Sequence, residues 1–168
     1  MLKTFAKGGV HPPENKFSAD RPIEVLPLPA KVSIPVSQHI GAPATIVVAK
    51  GDKVKVGQLI AQSAGFVSAN IHSSVSGTVE SVDPVLDSSG YKRQAVTIVV
   101  EGDEWEPTID RSPELKRTID ADAQTIIKKI AEAGIVGLGG ATFPSHVKLS
   151  VPTGKKADVL IINGVECE

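Results

Sequence analysis

The period of the apolar residues changes once along this chain, and that change calls for two kinds of structure in series. Between residues 44 and 101, short apolar stretches alternate with polar residues or run together, separated by turn residues. Thr45-Ile46-Val47-Val48-Ala49 is a strand by composition, and Lys50-Gly51-Asp52-Lys53 is a turn. Val54-Lys55-Val56-Gly57-Gln58-Leu59-Ile60-Ala61 alternates and then carries on as strand. Residues 71–82 hold two short strands split by Ser76-Gly77, and the apolar run at 96–100 predicts a buried last strand. Valines are many and aromatics only 4% of the chain, which suits a small barrel or sandwich. The spacing then becomes helical. Ala123, Ile126, Ile127, Ile130 and Ala131 fall on one face of a helix. Asp120 or Asp122 is placed to cap its start and Gly134 its end.

The segments around these two regions differ again. Residues 1–43 carry seven of the twelve prolines, which predicts an extended arm, and the interleaved apolar residues predict that it packs on the folded body. Residues 102–119, with Glu104-Trp105-Glu106-Pro107 and Arg111-Ser112-Pro113, read as a linker. Residues 120–168 read as helix, loop, short helix from about Pro144 to Leu149, and a buried strand at Val159-Leu160-Ile161-Ile162, which is how an α/β domain begins. With 168 residues, 41% of them hydrophobic, the chain can bury a core. A net charge of −1 gives it no electrostatic pull toward nucleic acid or an anionic membrane surface. No apolar run is long enough to span a bilayer, and residues 1–5 lead into no signal-peptide core, so direct membrane insertion is not expected.

The stretch Gly137-Leu138-Gly139-Gly140-Ala141-Thr142-Phe143-Pro144 is the leading candidate for binding. Three glycines within four residues let backbone approach a ligand closely, and Pro144 suits the first turn of a helix. Backbone N–H groups delivered there would receive an anion, so a phosphate-bearing ligand is expected; the plain alternative is a flexible connection. The loop follows a helix, so it is not a dinucleotide fingerprint, and no Gly-Lys-Ser/Thr closes it as in a P-loop. Lys148, one helical turn past Pro144, places an ammonium where a phosphate partner would be needed; the alternative is a solvated surface lysine. Asn163, Glu166 and Glu168 cluster past the C-terminal end of the predicted strand, the edge where open α/β sheets hold ligands. The alternative for the two glutamates is a solvated acidic turn.

Other candidates carry less. The four histidines, His11, His39, His72 and His146, are dispersed without paired ligand spacing, so ordinary hydrogen bonding is expected of each and metal ligation of none. The one cysteine, Cys167, lies between two glutamates, a poor setting for a nucleophile, and cannot by itself hold an iron–sulfur cluster. Gly51-Asp52-Lys53-Val54-Lys55-Val56-Gly57-Gln58, followed by His72-Ser73-Ser74-Val75-Ser76-Gly77-Thr78-Val79, resembles the biotinyl and lipoyl carrier domains. Those domains present a modified lysine on the hairpin between such segments. Here the hairpin is Ser63-Ala64-Gly65-Phe66-Val67-Ser68-Ala69, which has no lysine, so a structural module of carrier-like architecture is expected.

Taken together, the motifs resemble one family. Gly8-Gly9-Val10-His11-Pro12-Pro13-Glu14-Asn15-Lys16, Ile34-Pro35-Val36-Ser37-Gln38-His39-Ile40-Gly41-Ala42-Pro43, and Gly65-Phe66-Val67-Ser68-Ala69 with the following His72-Ser73-Ser74-Val75-Ser76-Gly77 resemble the C subunit of the Rnf ion-translocating electron-transport complex. Residues 134–168 are also similar to the flavin-carrying, NADH-oxidising subunit of respiratory complex I. The resemblance implies a barrel-sandwich hybrid followed by the truncated start of an α/β FMN- and NADH-binding domain. It implies FMN contacts at Gly137, Gly139, Gly140, Lys148, Asn163 and Glu166, with Phe143 and Glu168 on the nicotinamide-nucleotide side. Leu138 and Val165 depart from complex I, which has arginine and aspartate there.

The family's chain continues into the rest of the flavin domain, a β-grasp-type module and a cysteine-rich region for two 4Fe-4S clusters, so this chain is expected to be a fragment, inactive by itself. The intact protein is expected to couple NADH or ferredoxin:NAD redox chemistry, through FMN and 4Fe-4S clusters, to ion translocation, docked to other subunits on the cytoplasmic side of the bacterial inner membrane as a peripheral protein. The competing expectation is a non-catalytic docking or assembly module.

Overall fold

The computed structural model describes residues 13, 15–138 and 140–161. Among the described residues, seven strands and two helices follow in order: β1 (Lys31–Pro35), β2 (Thr45–Ile46), β3 (Lys53–Val54), β4 (Leu59–Gln62), β5 (Ile71–His72), β6 (Gly77–Leu86), β7 (Lys92–Val100), α1 (Ala123–Glu132) and α2 (Ser145–Leu149). All strand pairs are antiparallel. One sheet has the order β1-β7-β6-β3 and the other β2-β4-β5.

The strands form where side chains from both sheets can meet. A single apolar cluster takes Ile34, Val54, Val79, Val96 and Ile98 from the first sheet and Ile60, Ala61 and Ile71 from the second. β7 contributes most heavily, with Ala95, Val96, Thr97 and Ile98 all buried in succession. Thr97 keeps its hydroxyl satisfied by a 2.9 Å hydrogen bond with Ser33 Oγ. The β6–β7 hairpin turns through Asp87, whose carboxylate accepts from Ser89 N and Tyr91 N, and Gly90 takes the positive φ of 81°. At the other end of β6, a Cβ on Gly77 would run into the carbonyl oxygen of Val99, so only glycine fits where these strands close.

Three expectations are revised. The predicted arm holds strand β1, which pairs Lys31 with Val99 and Ile34 with Val96, so the sheet begins well before residue 44. β1 can do this despite its proline because it is an edge strand, and Pro35 stands at its end. Upstream, residues 15–30 are exposed throughout, and Ala30 alone is tied to the sheet, its carbonyl accepting from Val100 N at 3.0 Å. The linker is shorter than expected, because Val56 N donates to Glu104 O and Glu106 N to Val56 O, and Ile109 covers Gly57. Finally, Val159, Leu160 and Ile161 form no strand and are 75–86% exposed. Burial of an apolar run depends on neighbouring strands, and among the described residues none lies beside this one.

Two of the sequence motifs meet in space. Ala42 N donates to Val67 O at 3.0 Å, Ser68 Oγ donates to Ala42 O at 2.8 Å, and Ala69 N donates to His39 Nε2 at 3.1 Å. Because Nε2 accepts, the His39 proton sits on Nδ1, which faces Ile40 O at 3.1 Å. The segment around residues 39–42 thus pins the hairpin at 63–69.

Candidate functional site

α1 starts where its sequence says it should. The Asp122 carboxylate accepts from Thr125 N at 2.7 Å, which holds its pKa below the usual carboxylate value. The helix ends at Gly134, whose φ of 67° is the left-handed conformation that reverses the chain. Two hydrogen bonds then form a narrow neck: Ser145 N donates to Ile135 O at 2.9 Å and Gly137 N to Phe143 O at 3.0 Å. The glycine loop projects between them. Pro144 is buried at its base, and α2 follows.

The structure brings three of the predicted residues together. Lys148 Nζ lies 5.9 Å from the centre of the Phe143 ring and 3.5 Å from where a Cβ on Gly137 would stand. Lys148 has no carboxylate partner among the described residues. Gly140 lies in the same loop, and a Cβ there would meet nothing within 4 Å. Neither Gly137 nor Gly140 has the positive φ that would require glycine. Thr142 does take one, at 51°, a conformation rare for a β-branched residue. Gly139, Asn163, Glu166 and Glu168 lie outside the described residues, as do Val165, Cys167 and His11.

One expectation about this loop changes. α2 is a five-residue helix, and the N–H groups of Gly137, Ser145 and Val147 are already committed to the Phe143, Ile135 and Pro144 carbonyls. An anion here would be held by the loop's remaining N–H groups and the Lys148 ammonium, not by a helix end. The residues fit a phosphate-bearing group on those terms: an ammonium without a counter-charge among the described residues, beside backbone left bare of side chains at Gly137 and Gly140.

The loop is tied to the barrel through residues that sequence reasoning did not single out for that role. His146 Nε2 donates to the Phe66 carbonyl at 3.1 Å, and the two rings meet edge to face with centroids 6.2 Å apart. Asn70 Nδ2 donates to Glu132 O at 3.0 Å. A Cβ on Gly134 would collide with the carbonyl oxygen of Asn70, so α1 and the barrel touch backbone to backbone. Beside this seam is a recess of about 170 Å³ bordered by Gln38, His39, Asn70, His72 and Gly134. Burial there lowers the pKa of His72 from its ordinary value.

A family model described as the RnfC barrel sandwich hybrid domain matches residues 3–104. The chain belongs to the RnfC family. A second family model, the Nuo51 FMN-binding domain, matches residues 130–168, the segment that contains the glycine loop. The RnfC chain is 52% identical over 170 residues to the C subunit of the proton-translocating ferredoxin:NAD(+) oxidoreductase complex of Clostridium ljungdahlii, covering 100% of this chain and 36% of that relative. It is 48% identical to the C subunit of the Na(+)-translocating ferredoxin:NAD(+) oxidoreductase complex of Acetobacterium woodii, covering 96% of this chain and 36% of the relative. It is 42% identical to the C subunit of the ion-translocating oxidoreductase complex of Rhodobacter capsulatus, covering 99% of this chain and 32% of the relative. The chain therefore spans about a third of the length of these relatives. Its architecture is a barrel-sandwich hybrid followed by the start of an FMN-binding domain. No helix among the described residues is long and apolar enough to cross a membrane.

Proposed function

We propose that this chain forms the barrel and part of the flavin site of a peripheral subunit in an ion-translocating, NAD-linked electron-transport complex. The observation that carries this reading is the glycine loop. Its glycines at 137 and 140 are required neither by backbone conformation nor by crowding within the protein. A closely approaching ligand accounts for them, and Lys148 stands beside the loop with no carboxylate partner among the described residues. The match of this segment to an FMN-binding family supports FMN as that ligand. On this reading Lys148 neutralises phosphate or ring charge, Gly137, Gly139 and Gly140 admit the flavin, Asn163 and Glu166 complete its contacts, and Phe143 and Glu168 border the nicotinamide side. When bound, FMN would supply the exchange between two-electron chemistry at NADH and one-electron chemistry at 4Fe-4S clusters held elsewhere in the intact protein. The remaining partners would be the other subunits of the complex, at the cytoplasmic face of the bacterial inner membrane.

FMN titration of the full-length protein, followed by flavin fluorescence, tests this. Lys148→Ala removes one charge-assisted contact, worth about 1.5–3 kcal/mol, and should weaken binding roughly tenfold to a hundredfold. Gly140→Val should block binding sterically while leaving the fold intact, because the protein itself offers its Cβ no obstacle. The 168-residue chain should bind weakly or not at all, since part of the site would face water. Tight binding by that chain would show the site complete within it.

A second reading has its own observation. Ile23, Val25 and Leu26 are 83–100% exposed on the segment leading to β1, which favours a docking arm for another subunit. Unchanged FMN affinity in both full-length variants would leave this assembly role as the better account.

A further inference from the structure

We infer that the barrel hairpin at residues 63–70 is a brace for the glycine loop, with Asn70 and His146 as positioning residues. The inference rests on the flavin reading of that loop. The geometry has three parts. First, the hairpin is itself held rigidly. Ser68 is fully buried and bonded to both Ala42 O and Ala64 N, Ala69 N is held by His39 Nε2, and Asn70 Oδ1 accepts from Ser63 N at 2.9 Å. Second, the hairpin grips the loop on both sides. Asn70 holds the end of α1 at Glu132 O, just before the loop, and Phe66 O holds His146 on α2, just after it. Third, Gly134 allows α1 to approach Asn70 at backbone distance, which leaves no slack on the α1 side. His146 lies two residues from Lys148 on the same short helix, so fixing the His146 ring fixes the direction from which the ammonium reaches the loop. The hairpin that bears the modified lysine in carrier domains is here a fixed support, and its Phe66 carbonyl is used where a carrier would use a side-chain amine.

The consequence is that flavin affinity should depend on residues that never touch flavin. A site held by a rigid supporting shell loses affinity when the shell loosens. Three variants of the full-length protein separate the possibilities. Asn70→Asp keeps the acceptor for Ser63 N, loses the donor to Glu132 O and sets a carboxylate oxygen against that carbonyl. His146→Ala loses the bond to Phe66 O. His146→Gln retains an N–H donor and should restore much of it. Two readouts apply, FMN affinity and hydrogen exchange at the Gly137 and Ser145 amides, which close the neck of the loop on Phe143 O and Ile135 O. His146→Ala should weaken FMN binding roughly three- to tenfold, the value of about one net hydrogen bond, and Asn70→Asp at least as much. Exchange in the loop should quicken by a similar factor, while β6 and β7 stay protected. His146→Gln should lie near wild type in both.

Unchanged loop exchange and unchanged affinity in Asn70→Asp and His146→Ala would overturn the brace. Should the wild type not bind FMN, the flavin reading fails, yet loop exchange still decides whether the brace exists. General loss of protection in β6 and β7 would mark a folding defect; Asn70→Asp, which spares the hairpin's own bond, then decides alone.

Discussion

At the scale of single residues, the least replaceable position in the barrel is Gly77. It stands opposite Val100 where β6 begins, and any side chain would be driven into the Val99 carbonyl. Backbone, unlike the end of a flexible side chain, cannot move aside without breaking ladder hydrogen bonds. Gly77→Ala should therefore cost roughly 1–3 kcal/mol, as overpacking of a filled core does. Urea unfolding of the 168-residue chain, followed by Trp105 fluorescence, should show a lower midpoint; no change would mean that β7 yields there. Gly77 is legible in the sequence as a turn or bulge, but not as a contact, because Val99 is distant in sequence. The same is true of His146. Ordinary hydrogen bonding is what its surroundings predict, and it makes one such bond, but the partner lies 80 residues away and leaves no local mark.

At the scale of elements, the hairpin at 63–69 separates this barrel from working carriers. With no lysine on it and its Phe66 carbonyl engaged by His146, it should take up neither biotin nor lipoate. Intact mass measured after coexpression with the ligases should show no such increment, and finding one would refute the structural reading of this hairpin. The elements also separate what sequence can and cannot foretell. α1 is readable to within a few residues because its signals are local: an apolar face, the Asp122 cap and the Gly134 stop. α2 is readable from Pro144 for the same reason. β1 is hidden in a proline-rich stretch because its evidence is its partner, β7, far along the chain. The run at 159–161 misleads in the opposite sense. It has the composition of a buried strand, but composition supplies no neighbour.

At the scale of the whole molecule, protection should follow the two sheets. Residues 96–100 lie in a strand paired on both sides, and residues 159–161 in none. Hydrogen exchange should be slow in the first and fast in the second. The reverse order would mean that the exposed run is covered by another copy or partner. The sheet order β1-β7-β6-β3 also has a bearing on how such a protein is made. Lys31 finds its partner only at Val99, so the chain through Val99 must leave the ribosome before the edge of this sheet can close. Until then β1 and the apolar residues before it are open to whatever lies nearby. The β6–β7 hairpin, with its short turn at Asp87, is the local piece able to form first and offer β1 a template. The birth of this barrel is thus timed by its last strand, and a newly made chain passes through a stage in which its beginning is finished but has nothing yet to hold.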